Sequence, residues 1–204
     1  YLTFDDGPGP YTAQLLDVLD KYNVKATFFV TNTRPDYRSM IAEEAKRGHT
    51  VAIHSASHVY SQIYQSEDAY FADLEEMNQI IIEQTGQGAQ IIRFPGGSSN
   101  TVSAKYSRGI MSRLVKDVEA RGFLYCDWNV SSGDAGSRPI STQQVVQNVT
   151  EGMQKNNVSI VLQHDIKEFS VNAVEQIIQW GLAEGYTFLP LSTSSPMSHH
   201  GVNN

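Results

Sequence analysis

The chain has 204 residues, of which 40% are hydrophobic and 18% are charged, a composition that excludes an intrinsically disordered chain. The formal net charge of −7 argues against a nucleic-acid-binding protein, because such proteins neutralise phosphates with clustered cations. The length favours a single domain. The single cysteine, Cys126, excludes an intrachain disulfide framework and a CxxC motif, and its place inside an apolar run predicts a core residue.

Short β-branched or aromatic runs alternate with segments of helical periodicity along the chain. Seven strands are predicted: YLTF (1–4), KATFFV (25–30), HTVAIH (49–54), QIIRF (90–94), FLYCDWNV (123–130), VSIVLQH (158–164) and TFLPL (187–191). Six helices are predicted, around 15–19, 40–45, 67–84, 110–118, from 141 onward with a capping-box spacing, and 174–182. This alternation predicts an α/β fold with a parallel sheet, either open and doubly wound or closed as a barrel. We expect one domain over 1–192 and a frayed tail over 193–204, in which His199 and His200 are linker residues.

Polar residues follow the predicted strands at the point where each strand ends. They are Asp5 and Asp6, His54 and His58, Arg93, the Asp127 to Asp134 segment, and His164 with Asp165. The carboxyl ends of parallel strands meet at one edge of the sheet, where ligand sites form. The sequence therefore predicts a single polar site at this edge.

Two histidines in His54-Ser-Ala-Ser-His58 are four residues apart. On a helical turn they would share one face and could both reach one metal ion. One carboxylate would complete a set with open positions for water and substrate, which is typical of catalytic metal sites. The alternative is two polar residues in a strand-to-helix loop, and the position beside an Asp pair favours the metal site.

Asp5 and Asp6 end the first strand, directly before Gly-Pro-Gly-Pro. Successive strand side chains point to opposite sides, so we expect one carboxylate to face a metal ion and the other to face the substrate. A bound dication would also favour two ionised carboxylates side by side. An Asx-type turn is the alternative, and it explains only one of the two acids.

Arg93 and His164 are polar residues in otherwise apolar strands. A buried Arg needs a partner, and a strand-end carboxylate is the expected one. The alternative is a guanidinium that reaches solvent. His164 alone would be interpreted as a core histidine, but with Asp134 as a partner it could act as a general acid.

Other catalytic motifs and membrane segments are absent from the sequence. It contains neither GxSxG nor GxGxxG, no phosphate-binding GxxxxGKS, and no apolar run long enough to span a bilayer. The chain begins inside a strand-like run, so we expect it to be part of a longer protein in which an export signal or anchor could lie upstream.

The motifs TFDDGP, HSASH, RFPGG, WNVSSGD and LQH occur in this order at the predicted strand ends. Together they resemble the polysaccharide deacetylases, which form carbohydrate esterase family four and share the NodB homology domain. The resemblance covers residues 3–164. It implies a distorted (β/α) barrel of about seven parallel strands and metal-dependent removal of acetyl groups from sugars.

The resemblance assigns a role to each motif residue. It implies that Asp6, His54 and His58 bind a divalent metal, zinc from the ligand set with cobalt or nickel as alternatives. It further implies that Asp5 is the catalytic base and that Arg93 holds this base.

The later motifs complete the implied site. The N–H of Gly96, after Pro95, resembles the oxyanion donor of the family. His164 resembles the catalytic acid, with Asp134 tuning its pKa, and Leu162 resembles part of a pocket for the acetyl methyl group.

Two positions depart from the family pattern. Gly96 stands where the family usually has Tyr, and Ala135 stands where it usually has Trp after the motif Asp. Both changes concern the shape of the substrate groove more than the chemistry.

Three functions are compatible with the sequence. The first is N-deacetylation of a glycan, with N-acetylglucosamine of peptidoglycan as the expected substrate. The second is an esterase for O-acetylated xylan or a similar polymer, and the third is a glycan-binding module without activity. The retained acid and base favour an enzyme, which we expect at the bacterial cell surface or outside the cell, in an unknown oligomeric state.

Overall fold

The computed structural model describes residues 1–204 as one α/β unit. Seven parallel strands form a single sheet in the order β5-β4-β3-β2-β1-β7-β6. The strands are β1 Leu2–Asp5, β2 Thr27–Thr31, β3 Thr50–Ser55, β4 Ile91–Ile92, β5 Leu124–Tyr125, β6 Val130–Ser131 and β7 Val161–His164. The helices are α1 Thr12–Lys21, α2 Met40–Lys46, α3 Tyr60–Ile63, α4 Glu67–Thr85, α5 Ile110–Ala120, α6 Thr142–Gln154, α7 Glu168–Val171 and α8 Val174–Ala183. Short 3₁₀ helices span Pro35–Tyr37 and Val102–Lys105.

The sheet curls into a half-barrel, because only four residues separate its two edge strands. The five Cα steps from Tyr125 to Val130 reach at most about 18 Å. Edge strands of a flat sheet of this size would lie about 29 Å apart. No hydrogen bonds pair β5 with β6, so the barrel is distorted and open at this point. The predicted barrel-like α/β fold with seven parallel strands is confirmed.

Two of the predicted strands differ in the structure. The run 123–130 is not one strand but contains β5 and β6, which lie at opposite edges of the sheet. The run 187–191 is not a strand, and it crosses the ends of β2 and β3, where Leu191 accepts from Thr50 Oγ1 and donates to Thr27 Oγ1. Pro190 lacks the N–H that a continuous ladder requires.

The predicted helices from 40, 67, 110, 141 and 174 are present, and Ser141 caps α6 by accepting a hydrogen bond from the Gln144 N–H. None of the helices combines the length and apolarity needed to cross a membrane.

Strand alternation divides the interior into an outer and an inner part. Phe28 and Val30 of β2 pack in the large core cluster with the helices, whereas Phe29 between them belongs to a small cluster without helix residues. The small cluster also contains Cys126, which is buried as predicted. Side chains of this inner face, at the carboxyl ends of the strands, form the site described below.

The expectation of a frayed C-terminal tail is wrong. Residues 193–204 lack regular secondary structure, but they cover the segment that links β5 to β6. The Asp127 N–H donates to Ser198 O at 2.7 Å, the His199 ring stacks on Tyr125 at 3.9 Å between centroids, and His200 N donates to the Asp127 carboxylate. Asn204 then accepts a hydrogen bond from Gly109 N, next to the start of α5. These hydrogen bonds satisfy buried groups that the short edge strands leave unpaired.

Candidate active site

The register of the central strands places the predicted acid and base side by side. Asp5 at the end of β1 pairs with His164 at the end of β7, and Thr3 pairs with Leu162 two residues earlier. Because residues i and i+2 share one face of a strand, all four side chains lie on the inner face. Leu2 and Phe4, the alternate residues of β1, pack in the outer core.

The two adjacent acids do not point to opposite sides, so this expectation is wrong. Strand β1 ends at Asp5, and Asp6 has a left-handed backbone with φ of 72°. Strand alternation therefore no longer applies. His54 Nε2 lies 3.8 Å from Asp5 Oδ2 and 3.5 Å from Asp6 Oδ1, so both carboxylates face the same imidazole.

The turn after the acids is fixed by a close approach to Asp165. A Cβ at Gly7 would lie 2.2 Å from the Asp165 carboxylate, so only glycine fits there. Thr12 Oγ1 donates to the same carboxylate at 2.5 Å, and Thr31 N donates to Gly7 O at 2.7 Å. Burial raises the pKa of Asp165 to about 7. The Gly-Pro-Gly-Pro segment is thus anchored on both sides, which holds Asp6 in its unusual conformation.

His54 and His58 converge, but not on a helical turn as predicted. His54 lies in β3, and His58 lies in the following loop with φ of 55°. Their rings are 5.1 Å apart between centroids. The strand-end position of His54 and the left-handed backbone of His58 thus bring the two imidazoles together, as a shared helix face would have done.

Asp73 of α4 shapes the loop between these histidines, and the sequence analysis did not identify it. Its carboxylate accepts from Ser55 Oγ at 2.6 Å, Ala56 N at 2.9 Å and Ser57 N at 2.8 Å. Three donors from consecutive residues on one carboxylate fix the loop conformation. A single acid on an amphipathic helix carries no sequence signal that would have revealed this role.

The side chains of Asp6, His54 and His58 fit a divalent-metal site. Each offers one ligand atom, and these atoms all lie within 4.8 Å of one another. Two ligands at about 2.1 Å in a tetrahedral arrangement stand roughly 3.4 Å apart. Asp6 Oδ1 lies 3.5 Å from His54 Nε2 and 3.3 Å from His58 Nε2. Asp6 Oδ1 is also buried and has no hydrogen-bond partner, as expected for an atom that ligates a metal.

Neighbouring groups favour the metal-binding forms of His54 and Asp6. His54 Nδ1 hydrogen-bonds to Arg93 O at 2.7 Å, which places the proton on Nδ1 and leaves the Nε2 lone pair toward Asp6. Burial lowers the pKa of His54, so the imidazole is neutral, as metal ligation requires. Burial raises the pKa of Asp6, but electrostatic interactions with the surrounding histidines and with Arg34 outweigh burial and hold the pKa below its ordinary value.

Arg93 is fully buried and binds Asp5, the strand-end carboxylate that the family resemblance implies as its partner. Its guanidinium lies 4.0 Å from the centroid of the Phe29 ring. Its hydrogen bonds go to Asp5 Oδ1, Thr3 Oγ1, Cys126 O and Asp127 O, at 2.7–2.8 Å. Because Arg93 occupies Oδ1, the Oδ2 atom of Asp5 remains available on the side of His54. This geometry suits a base whose orientation is fixed.

His164 and Asp134 form a buried pair, as predicted. His164 Nδ1 and Asp134 Oδ1 are 2.7 Å apart, and Asp134 Oδ2 accepts from His164 N and from Ser170 Oγ. Burial lowers the pKa of His164, but the hydrogen bond and charge of Asp134 raise it overall to about 9. His164 Nε2 faces the site, 3.9 Å from Asp6 Oδ2. A protonated imidazole is therefore available to a leaving group.

The remaining predicted residues line the same edge. Gly96 is exposed, and its N–H has no acceptor within the chain. The carbonyl of Pro95 accepts from the Tyr64 hydroxyl at 2.7 Å, which fixes this loop. Leu162 is buried but belongs to neither hydrophobic cluster, in agreement with a place beside the site. Ala135 is exposed and forms no wall.

Comparisons with known proteins find relatives that match most of the chain. The chain is 32% identical over 193 residues to a peptidoglycan-N-acetylglucosamine deacetylase of Bacillus cereus, covering 92% of this chain and 67% of that protein. It is 31% identical over 214 residues to a bifunctional xylanase/deacetylase of Pseudobutyrivibrio xylanivorans, covering 99% of this chain but only 31% of that protein.

The similarity extends to solved structures. The catalytic domain of peptidoglycan N-acetylglucosamine deacetylase from Eubacterium rectale matches with a TM-score of 1.00 and 79% identity, covering 100% of this chain and 93% of that chain. The family model described as polysaccharide deacetylase matches residues 1–112, which contain the first three motifs. This chain belongs to the polysaccharide deacetylase family.

Proposed function

We propose that this chain is a metal-dependent hydrolase that removes N-acetyl groups from a glycan, with N-acetylglucosamine residues of peptidoglycan as the substrate. The observation that supports this most is the buried His164–Asp134 pair, whose imidazole faces the Asp6, His54 and His58 cluster. An amine is a poor leaving group and needs a proton as it departs, whereas an ester oxygen needs one less. The buried ion pair therefore favours amide over ester hydrolysis.

The residues of the site support one hydrolytic sequence. A divalent cation held by Asp6, His54 and His58 would act as a Lewis acid, activating water and polarising the acetyl carbonyl. Asp5, oriented by Arg93, takes a proton from the water as the water oxygen attacks the carbonyl carbon. The C–N bond then breaks, and His164 gives its proton to the departing nitrogen. The products are acetate and a free amine on the sugar.

The backbone of Gly96 stabilises the charge that develops on the acetyl oxygen. Its N–H is exposed at the edge of the site and has no competing acceptor. A preorganised donor of this kind contributes roughly 3 to 4 kcal/mol to the transition state in comparable oxyanion holes. Leu162 on the inner face would contact the acetyl methyl group.

The names of the similar proteins support this choice of substrate. Peptidoglycan N-acetylglucosamine deacetylases are among both the sequence relatives and the structural neighbours. Because peptidoglycan lies outside the cytoplasm, we place the working enzyme at the bacterial cell surface.

The second candidate function is O-deacetylation of xylan. The bifunctional xylanase/deacetylase relative and a structural neighbour named as the Xyl-CE4 domain of a multidomain xylanase favour it. Gly96 and Ala135 are exposed and carry no large side chain, which is also compatible with a different polymer.

Acetate release from three substrates separates these functions. The substrates are peptidoglycan, chitooligosaccharides and acetylated xylan, each assayed with chelator and with added zinc. N-deacetylation predicts zinc-dependent acetate from the first two and a lower kcat/KM for xylan. Acetate from xylan alone would establish the esterase instead. Glycan binding without acetate release in the presence of zinc would indicate an inactive binding module.

A further inference from the structure

The space above Gly96 is filled by a tyrosine from a different element. A Cβ at residue 96 would lie 2.9 Å from Tyr60 Oη and 3.2 Å from the Cβ of Asn100. Gly96 also has φ of 79°, which L side chains rarely adopt. A side chain at residue 96 would therefore have to displace the Tyr60 phenol and adopt an unfavourable backbone conformation.

Tyr60 is held between two parts of the site. It is the first residue of α3, and its ring centroid lies 5.5 Å from that of His58. Its other neighbour is Tyr64, one turn later, with ring centroids 5.7 Å apart. The Tyr64 hydroxyl donates to Pro95 O at 2.7 Å, so the helix is tied to the loop that carries Gly96. This packing fixes where the Tyr60 hydroxyl lies.

Tyr60 is half-buried, and its hydroxyl is neither hydrogen-bonded within the chain nor among the fully enclosed unpaired atoms, so it is open to a ligand. The neighbouring Gly96 N–H likewise has no acceptor. A phenol O–H can donate a hydrogen bond. Two adjacent donors without an acceptor, beside a carboxylate-histidine cluster, suit an oxygen atom that gains negative charge.

We propose that Tyr60 is a catalytic residue of this chain, whose hydroxyl donates a hydrogen bond to the acetyl oxygen of the substrate beside the Gly96 N–H. The proposal rests on the proposed deacetylase function. It also explains why this chain functions with glycine at residue 96: the ring missing there is supplied from residue 60.

The test compares Tyr60→Phe with the control Tyr186→Phe. Tyr186 is also half-buried, but it lines a cavity beside Tyr1 and Leu2, at the end of β1 opposite the site. The probe is acetohydroxamic acid, whose carbonyl oxygen mimics the acetyl oxygen, titrated calorimetrically into the zinc-loaded protein. Tyr60→Phe should weaken this binding about fivefold to tenfold, as expected for one lost hydrogen bond. Tyr186→Phe should bind as the wild type does.

Kinetics and metal affinity give the second and third readouts. Tyr60→Phe should lower kcat for acetate release about 100-fold with little change in KM, because an oxyanion donor acts mainly in the transition state. Zinc affinity, measured by chelator competition, should not change. Unchanged acetohydroxamate binding, unchanged kcat or a loss confined to KM would each overturn the proposal. Lost zinc affinity would also overturn it, since Tyr60 would then only position His58.

A double-variant test examines the contact with residue 96. Gly96→Ala should displace the Tyr60 hydroxyl, so its loss of acetohydroxamate affinity should be smaller in the Tyr60→Phe background than in the wild type. Independent, multiplying effects would contradict the contact. If the wild type released no acetate while Tyr60→Phe still weakened acetohydroxamate binding, the deacetylase function would fail and the Tyr60 contact would stand.

Discussion

Arg93→Met is the substitution that most directly tests how the base is held. Methionine keeps an apolar stem but removes all donors from a guanidinium that is fully buried. The Asp5 carboxylate and the carbonyls of Cys126 and Asp127 would lose their partner. Breaking a buried ion pair by removing one partner lowers the free energy of unfolding by about 3–5 kcal/mol. Each unsatisfied buried carbonyl adds a penalty on the order of 1–3 kcal/mol, so about 3 kcal/mol is a lower limit.

Urea denaturation in the presence of a chelator measures this effect without a contribution from bound metal. The matched control is Arg113→Met, because Arg113 pairs with Glu67 on the surface and should contribute at most about 1 kcal/mol. The double variant Arg93→Met/Asp5→Asn should be more stable than the two single effects added together, since a neutral amide needs no counter-charge. A loss clearly below about 3 kcal/mol for Arg93→Met would refute this account of the buried pair.

Three further predictions concern the metal, the acid and the C-terminal segment. His58→Ala should lower zinc affinity at least 10-fold in chelator competition, whereas Asp5→Asn should keep zinc and lose acetate release by about 10²–10⁴. Because His164 must be protonated to act as an acid, kcat should fall as pH rises through the pKa of His164. Asp134→Asn removes the cause of the raised pKa, so it should move this alkaline limb of the pH–kcat profile to lower pH. A limb that does not move would exclude His164 as the acid. Deleting residues 193–204 should expose the chain's single cysteine, detected as faster reaction with a thiol reagent, while equal rates in both proteins would show that the segment does not cover it.

Much of the architecture follows from local sequence alone. Alternating β-branched runs and amphipathic segments predict a parallel α/β sheet because each pattern has one way to bury its apolar residues. The helix from residue 67 and the Ser141 cap are correct for this reason. The division of 123–130 into two strands could not be predicted, since an apolar run does not reveal that the sheet curls and that the two ends of the run lie at opposite edges.

The tail was misjudged for a related reason. Residues 193–204 have no periodicity, and their binding to Asp127 and Tyr125 depends on backbone groups that a sequence does not display. The same applies to Asp73, whose three acceptor contacts organise the histidine loop without any sequence signal.

The sequence by itself determined which chemical groups meet, because polar residues at the ends of parallel strands must share one edge of the sheet. It indicated that His54, His58 and one carboxylate could bind a metal and that Arg93 needed a strand-end carboxylate, and the family resemblance implied Asp6 and Asp5 for these two roles. Only the tertiary structure decided how these groups are aimed. Left-handed backbone conformations at Asp6 and His58 turn both side chains toward one point, against the geometry that strand or helix periodicity predicts. Such conformations are unfavourable for isolated residues, and they persist here because packing and hydrogen bonds from distant parts of the chain hold them.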